Sequence, residues 1–252
     1  MKTCVILGGT TLIGKKIINS LIDKYKIILI GRSAEKLIKI KNEINSENLL
    51  IIQNNSTIPN EIELTKKINA VGVKKIDVFI SLIGGVGQFF GDFSSLKPDD
   101  WLDIYKSNTL APLEYIKILE KYLIKSKDSL ILMFGSKAGE RPGKYNPHYG
   151  IAKNSLTYIL PLLTRKLSPY GVRVNIISPS LFMSETLVND AIDISKKLKI
   201  SIKEAKQNII EAAKIKNPLN KMVAIEDIVK AVEFIIECKS INGVNLRVDC
   251  GE

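Results

Sequence analysis

Seven short apolar runs, separated by longer segments of helical pattern, constrain this chain more than any other feature. The runs are Cys4-Leu7, Ile27-Ile30, Leu49-Ile52, Val78-Leu82, Leu130-Phe134, Val172-Ile177 and Val244-Val248. Most are rich in Ile, Leu or Val, as strands are when both faces of a parallel sheet are covered. The intervening segments are long enough for crossover helices. The alternation predicts an α/β fold: a Rossmann-type doubly wound sheet of about seven parallel strands with helices on both faces. No repeat, low-complexity tract or linker interrupts it, so residues 1–252 are read as one domain. Two intervals break the rhythm. Residues 91–125 hold a loop and one long helix, roughly Trp101 to Lys125. Residues 184–217 hold a helical insertion beyond the carboxyl end of the sixth strand. Ligands of such sheets bind at that end, which makes the insertion the expected substrate lid.

Bulk composition removes several function classes. The chain is 45% hydrophobic and 25% charged, which is globular rather than disordered. No apolar run approaches the ~18 residues of a membrane span. The first apolar stretch stops at Gly8, as a buried strand does and an export signal does not. Cys4, Cys238 and Cys250 are odd in number and lack CxxC spacing, so reduced thiols and a cytoplasmic location are expected. One histidine, His148, with scattered cysteines argues against a His/Cys metal site. The net charge of +11 fits solvated Lys-rich helix faces, or a field that attracts anions such as a phosphorylated cofactor, a thioester of coenzyme A or an acidic carrier protein. The lysines are spread along the chain without a recognition motif, so nucleic acid is not an expected partner.

The first run leads into Gly8-Gly9-Thr10-Thr11-Leu12-Ile13-Gly14-Lys15, and Ile17, Ile18, Leu21 and Ile22 follow at helical spacing. A glycine turn off a strand into a helix presents free backbone N–H groups to a pyrophosphate. The middle glycine of that fingerprint is absent. Thr11 or Leu12 stands in its place, and a side chain there obstructs close approach. The second run ends in Gly31-Arg32-Ser33, with no Asp or Glu between Lys24 and Ala34 to receive a ribose 2′-hydroxyl. Arg32 suits a 2′-phosphate, so NADP (as NADPH) is expected over NAD.

Tyr149-Gly150-Ile151-Ala152-Lys153 puts a phenol and an ammonium four residues apart on one helix face. With eight tyrosines and abundant lysine, about one such pair arises by chance, so context decides. Ser136 follows the fifth run, Asn108 lies in the long helix, and Asn175 and Pro179 lie on the sixth strand. In this arrangement the chain resembles the short-chain dehydrogenase/reductase family over its whole length. Asn108, Ser136, Tyr149 and Lys153 fall where that family keeps its catalytic tetrad. Gly243 and Val248-Asp249-Cys250-Gly251 resemble its last strand and closing signature. The resemblance implies cofactor contacts from Gly8, Thr10, Thr11, Leu12, Ile13, Gly14, Arg32, Ser33, Asn54, Asn55, Gly84, Tyr149, Lys153, Pro179, Ser180 and Phe182.

A phenol titrates near 10, too high for neutral acid–base work. The Lys153 charge is expected to lower that value. Tyr149 then passes a proton to or from the carbonyl oxygen, and Ser136 hydrogen-bonds that oxygen. The resemblance further implies that Lys153 holds the nicotinamide ribose and that Asn108 positions a water linking Lys153 to solvent. It implies a dimer or tetramer built on the long helix and the helix carrying Tyr149.

Four cofactor-side positions depart from the family. Besides the cradle, Ser81-Leu82-Ile83-Gly84 keeps only the glycine of Asn-Asn-Ala-Gly, Pro179-Ser180 replaces Pro-Gly, and Asn54 or Asn55 replaces the acid expected near the adenine amino group. His148 is expected at the substrate mouth or in solvent, and Trp101 at the start of the long helix. Phe89, Phe90 and Phe93 are read either as a substrate wall or as sheet cover. The expected activity is NADP(H)-dependent interconversion of a carbonyl and a secondary alcohol, with a 3-oxoacyl thioester among the candidate substrates. Lys121, Lys125 and Lys127 suit an acidic carrier; Tyr170, before the Gly171 turn, does not. Reduction of a sugar or secondary-metabolite carbonyl, and a non-catalytic nucleotide sensor, are the alternatives.

Overall fold

The computed structural model describes residues 1–86, 91–141, 145–212 and 217–252. All seven apolar runs become strands: β1 Lys2–Leu7, β2 Tyr25–Gly31, β3 Leu49–Gln53, β4 Val78–Ser81, β5 Ser129–Phe134, β6 Val172–Pro179 and β7 Asn245–Val248. They form one parallel sheet in the order β3-β2-β1-β4-β5-β6-β7. The order reverses between β1 and β4. That switch leaves a crevice beyond the carboxyl ends of the strands, where ligands of doubly wound sheets bind.

Helices cover both faces. Successive strand residues point to opposite sides, so Cys4 and Ile6 join one core and Val5 and Leu7 the other. The first core is closed by α1 (Leu12–Leu21), α2 (Ala34–Ile44) and α9 (Ile225–Glu237), through Ile17, Leu37 and Ile228 among others. The second is closed by α3 (Glu61–Ala70), α5 (Ala111–Ile124) and α6 (Pro147–Leu167), through Leu64, Tyr115 and Leu156. Among the described residues, no helix is long and apolar enough to cross a membrane. Cys4, Cys238 and Cys250 are free thiols.

The long helix expected from Trp101 to Lys125 is interrupted. α4 runs Pro98–Tyr105, a π-helical turn occupies Lys106–Leu110, and α5 begins at Ala111. The Ala111 N–H reaches back to the Lys106 carbonyl, which absorbs one extra residue. The Thr109 hydroxyl donates to the Ala152 carbonyl at 2.8 Å and ties this turn to α6. The 184–217 insertion contains α7 (Glu185–Leu198) and α8 (Ile202–Ala212), beyond the exit of β6.

Candidate active site

At the exit of β1 the chain bends at Gly8, with φ +80°, a left-handed conformation that favours glycine. A Cβ on Gly8 would fall 2.5 Å from Ile83 Cγ2, and one on Gly14 would fall 2.4 Å from the Gly9 backbone. The first turn of α1 therefore lies against the β1 exit as closely as the cradle reading requires. Thr11 is the N-cap, and its hydroxyl accepts the Gly14 N–H at 3.4 Å. Leu12, the first helical residue, is half-buried and packs on the core beneath α1 and α9. Two polar or bulky groups thus crowd the place where a dinucleotide fingerprint carries its middle glycine. Thr10 lies in the turn, and Ile13 is buried in the core.

Beyond β2, a cleft of about 530 Å3 is lined by Arg32, Gln53, Asn54, Asn55, Thr57 and Glu63. Among the described residues the Arg32 guanidinium makes no ion pair and is exposed, whereas Glu63 is held by Lys67. Ser33 caps α2, its hydroxyl accepting the Lys36 N–H. The two asparagines are less free than expected. Asn54 is buried and its Oδ1 accepts from the Tyr115 hydroxyl at 2.9 Å. Asn55 Oδ1 accepts the backbone N–H groups of Thr57 and Ile58. An adenine amino group, which donates, can use only what acceptor capacity these bonds leave.

The four residues of the expected tetrad converge at the exits of β4 and β5. Asn108 and Lys153 meet over Gly84, with φ +123°: a Cβ there would fall 2.3 Å from Asn108 Oδ1 and 2.8 Å from Lys153 Nζ. Asn108 is fully buried. Its Oδ1 accepts the Gly85 N–H at 2.8 Å, and its Nδ2 donates to the Gly85 and Ile104 carbonyls. The Lys153 ammonium donates to the Phe134 carbonyl at 2.8 Å and lies 5.9 Å from the Tyr149 ring centroid. Burial pushes Lys153 down to about 8.

Tyr149 behaves otherwise than expected. Its pKa lies above the ordinary phenol value, because burial outweighs the hydrogen bond from Ser136, which lowers it. Lys153 is spent on the Phe134 carbonyl, and its charge does not offset the desolvation of the phenol. The Ser136 hydroxyl also accepts the Ala138 N–H as it opens the short turn Lys137–Gly139.

Other expected contacts scatter. Ser180, at the exit of β6 next to Pro179, is buried. Phe182 packs on the core beneath α9 and bridges Val223. Asn175 is structural: its carboxamide donates to the Ile241 carbonyl and accepts the Val244 N–H, holding the β6–β7 connection. His148 is not in solvent. It is buried beneath Trp101, ring centroids 6.0 Å apart, and neither ring nitrogen has a partner among the described residues. Trp101 in turn meets Phe93 edge-on at 6.3 Å, and Phe93 is largely exposed. Phe89 and Phe90 lie outside the described residues.

The composition of the runs gave no hint of two further groups. Arg173 on β6 is buried, and its guanidinium donates to the carbonyls of Ile235, Ile236, Cys238 and Ile241, so it caps α9. Glu252 reaches back to Lys137 and Ser180.

Residues 2–194 match the family profile described as short chain dehydrogenase. A 3-oxoacyl-[acyl-carrier-protein] reductase, FabG, of Buchnera aphidicola subsp. Baizongia pistaciae is 26% identical over 99% of this chain and 96% of its own. An uncharacterized oxidoreductase, YvaG, of Bacillus subtilis is 20% identical over 99% of this chain and 95% of its own. Among solved structures, ElxO with NADP bound superposes with a TM-score of 0.82 at 22% identity, covering 100% of this chain and 98% of the other. A variant of the actinorhodin polyketide ketoreductase with NADPH gives a TM-score of 0.82 at 19% identity, covering 99% and 96%.

Proposed function

The chain belongs to the short-chain dehydrogenase family, and from that premise we propose that it is an NADP(H)-dependent reductase of carbonyl groups, a 3-oxoacyl ester or thioester being the first substrate class to try. One observation carries the reading. Tyr149 and Lys153 lie one turn apart on α6, the ammonium 5.9 Å from the phenol ring, and Ser136 lies close enough to lower the phenol pKa.

The residues fit a nicotinamide dinucleotide. The turn at Gly8 and the close contact of Gly14 with Gly9 bring the N-terminus of α1 against the strand exit. The exposed Arg32 guanidinium beside an open cleft fits a 2′-phosphate. Pro179 and Ser180 are the candidates at the nicotinamide end. When bound, the nicotinamide supplies or accepts the hydride.

The chain's own groups do the rest. Tyr149 keeps its proton at neutral pH, because burial raises its pKa. It is therefore poised to donate that proton to a carbonyl oxygen as negative charge develops there. Ser136 gives the same oxygen a second donor and fixes its position. Lys153, held against the Phe134 carbonyl, places a positive charge behind the phenol. Asn108 clamps Gly84–Gly85 against both, which keeps the floor of the crevice rigid. The α7–α8 pair is the element positioned to close over a substrate.

A parallel thermal-shift titration with NADPH and NADH tests the reading. A ligand at 100 times its Kd stabilises by roughly 2.7 kcal/mol. Stronger stabilisation by NADPH, lost in Arg32→Ala, is expected. Stabilisation by NADH alone overturns the Arg32 assignment, and no shift with either at millimolar concentration overturns the reductase.

A further inference from the structure

A second charged cluster lies at the edge of this site and takes no part in the proton chemistry. Lys137 follows Ser136 directly and begins the turn Lys137–Gly139. Its ammonium pairs with one carboxylate oxygen of Glu252, and the Ser180 hydroxyl donates to the other. Ser180 is nine-tenths buried, and Lys137 and Glu252 are each about three-quarters buried, at 26% and 27% exposure. A single carboxylate, from the turn after β7, therefore spans the exits of β5 and β6.

Burial disfavours the Lys137 charge most, Arg141 in the same loop adds to that, and Asp249 favours the charge. The Glu252 carboxylate is the acid in direct contact with the ammonium. Arg247 lies 3.5 Å from Glu140 and 3.6 Å from Asp249, so these two acids share one nearer cation. Glu140 also accepts from the Asn245 carboxamide at 3.0 Å. Without the Glu252 carboxylate, the Lys137 ammonium and the buried Ser180 hydroxyl would keep a spacing that already holds a carboxylate.

We propose that Lys137 and Ser180 form a carboxylate subsite beside the catalytic serine, and that Glu252 fills it and so determines specificity. The site then favours neutral carbonyl substrates, such as esters and thioesters, over oxo acids whose carboxylate lies near the carbonyl. An incoming carboxylate must displace a tethered one, which competes at a high effective concentration. It must also approach against like charge.

The inference deepens the reductase reading and rests on it, so its test has a turnover arm and a binding arm. Ethyl acetoacetate and acetoacetate form a matched neutral and acidic pair. In Glu252→Gln, kcat/KM for acetoacetate relative to the ester should rise at least tenfold. Adding Lys137→Met should return the ratio to the wild-type value. In calorimetric titrations with and without NADPH, acetoacetate should bind Glu252→Gln at least tenfold more tightly than wild type, and the double variant should lose that gain. Thermal melting of each variant verifies folding, and Glu252→Ala repeats both arms should the glutamine variant melt early. A selectivity ratio within twofold of wild type in a folded variant overturns the subsite. So does a change in NADPH affinity with no gain in acid binding, because Glu252 would then serve the cofactor. Acid binding gained as expected, with no turnover of either probe by any variant, supports the subsite and overturns the 3-oxoacyl substrate class.

Discussion

At the scale of single residues, the site combines a phenol that holds its proton with an amine that gives its proton up easily. Both effects come from burial, which disfavours charge of either sign. For Lys153 the consequence is a stability that depends on pH. Its folded pKa, about 8, lies below the ordinary lysine value of 10.5, so above pH 8 the unfolded chain binds the extra proton. Stability therefore rises with pH between about 8 and 10.5, by on the order of 1.4 kcal/mol per unit. Urea unfolding of wild type and Lys153→Met from about pH 7 to 9.5 reads this directly. The difference should be flat below about pH 7.5 and move in favour of wild type above about 8; a flat difference throughout places the ammonium in water. Tyr149→Phe should lower turnover at least ~10²-fold, the scale of a lost general acid, and keep NADPH affinity within a few-fold. Near-normal turnover would take the proton transfer away from Tyr149. Leu12 is a third case. It stands where close approach to a pyrophosphate asks for no side chain. Leu12→Gly should tighten NADPH binding several-fold, at a cost in thermal stability from the lost core packing and the glycine in a helix turn. Unchanged affinity would mean that the leucine side chain already lies clear of the pyrophosphate.

Among the elements, β6 and α9 show how a buried charge joins two pieces of structure. The Arg173 guanidinium satisfies four carbonyls at and beyond the end of α9, groups that a helix cannot satisfy itself. Arg173→Met fills a similar volume and strands those carbonyls. It should cost about 2–4 kcal/mol, scaling with the groups left unpaired, seen as a lower urea midpoint with an unchanged slope. A loss under about 1 kcal/mol would mean that water replaces the guanidinium. Arg173 also marks the limit of what the chain's order of residues discloses. The strands were legible because Ile, Leu and Val runs have one stable fate when helices cover both faces. The seven-strand sheet followed from that, whereas the candidate tetrad was named only through the family resemblance, the Tyr149–Lys153 spacing alone being too common to carry it. The π turn around Asn108 was not legible, because an extra residue in a helix leaves the apolar period nearly intact. The hydrogen bonds of Asn54, the burial of His148 under Trp101 and the reach of Glu252 to Lys137 were equally hidden. Each depends on a partner far away along the chain, 115 residues in the case of Lys137 and Glu252, or on a packing angle between two helices. Local pattern carries no information about either.

For the whole molecule, α6 presents an apolar face that the core does not use. On α6, Ile151, Tyr158 and Leu162 are exposed at helical spacing, Tyr158 at 87%. On the adjacent α4 to α5 passage, Leu102 and Leu110 are exposed as well. The opposite side of α6 carries Leu156, Leu160, Leu163 and Leu167 into the core, so the helix is apolar on two sides rather than one. A helix of a monomer needs only one such stripe. The second is best accounted for by a copy of the same chain, since a two-fold axis lets one patch cover itself. The net charge of +11 works against such pairing at low salt and is screened at physiological ionic strength. Light scattering coupled to size exclusion, at about 0.15 M salt, should give twice or four times the 28.0 kDa chain mass. Tyr158→Lys, which adds a charge at the centre of the patch without touching the core, should shift the mass toward the monomer. It should also lower the melting temperature in a concentration-dependent way, because assembly contributes to stability by mass action. A wild-type mass of 28.0 kDa at micromolar concentration would leave the α6 face without a partner copy and overturn the self-association.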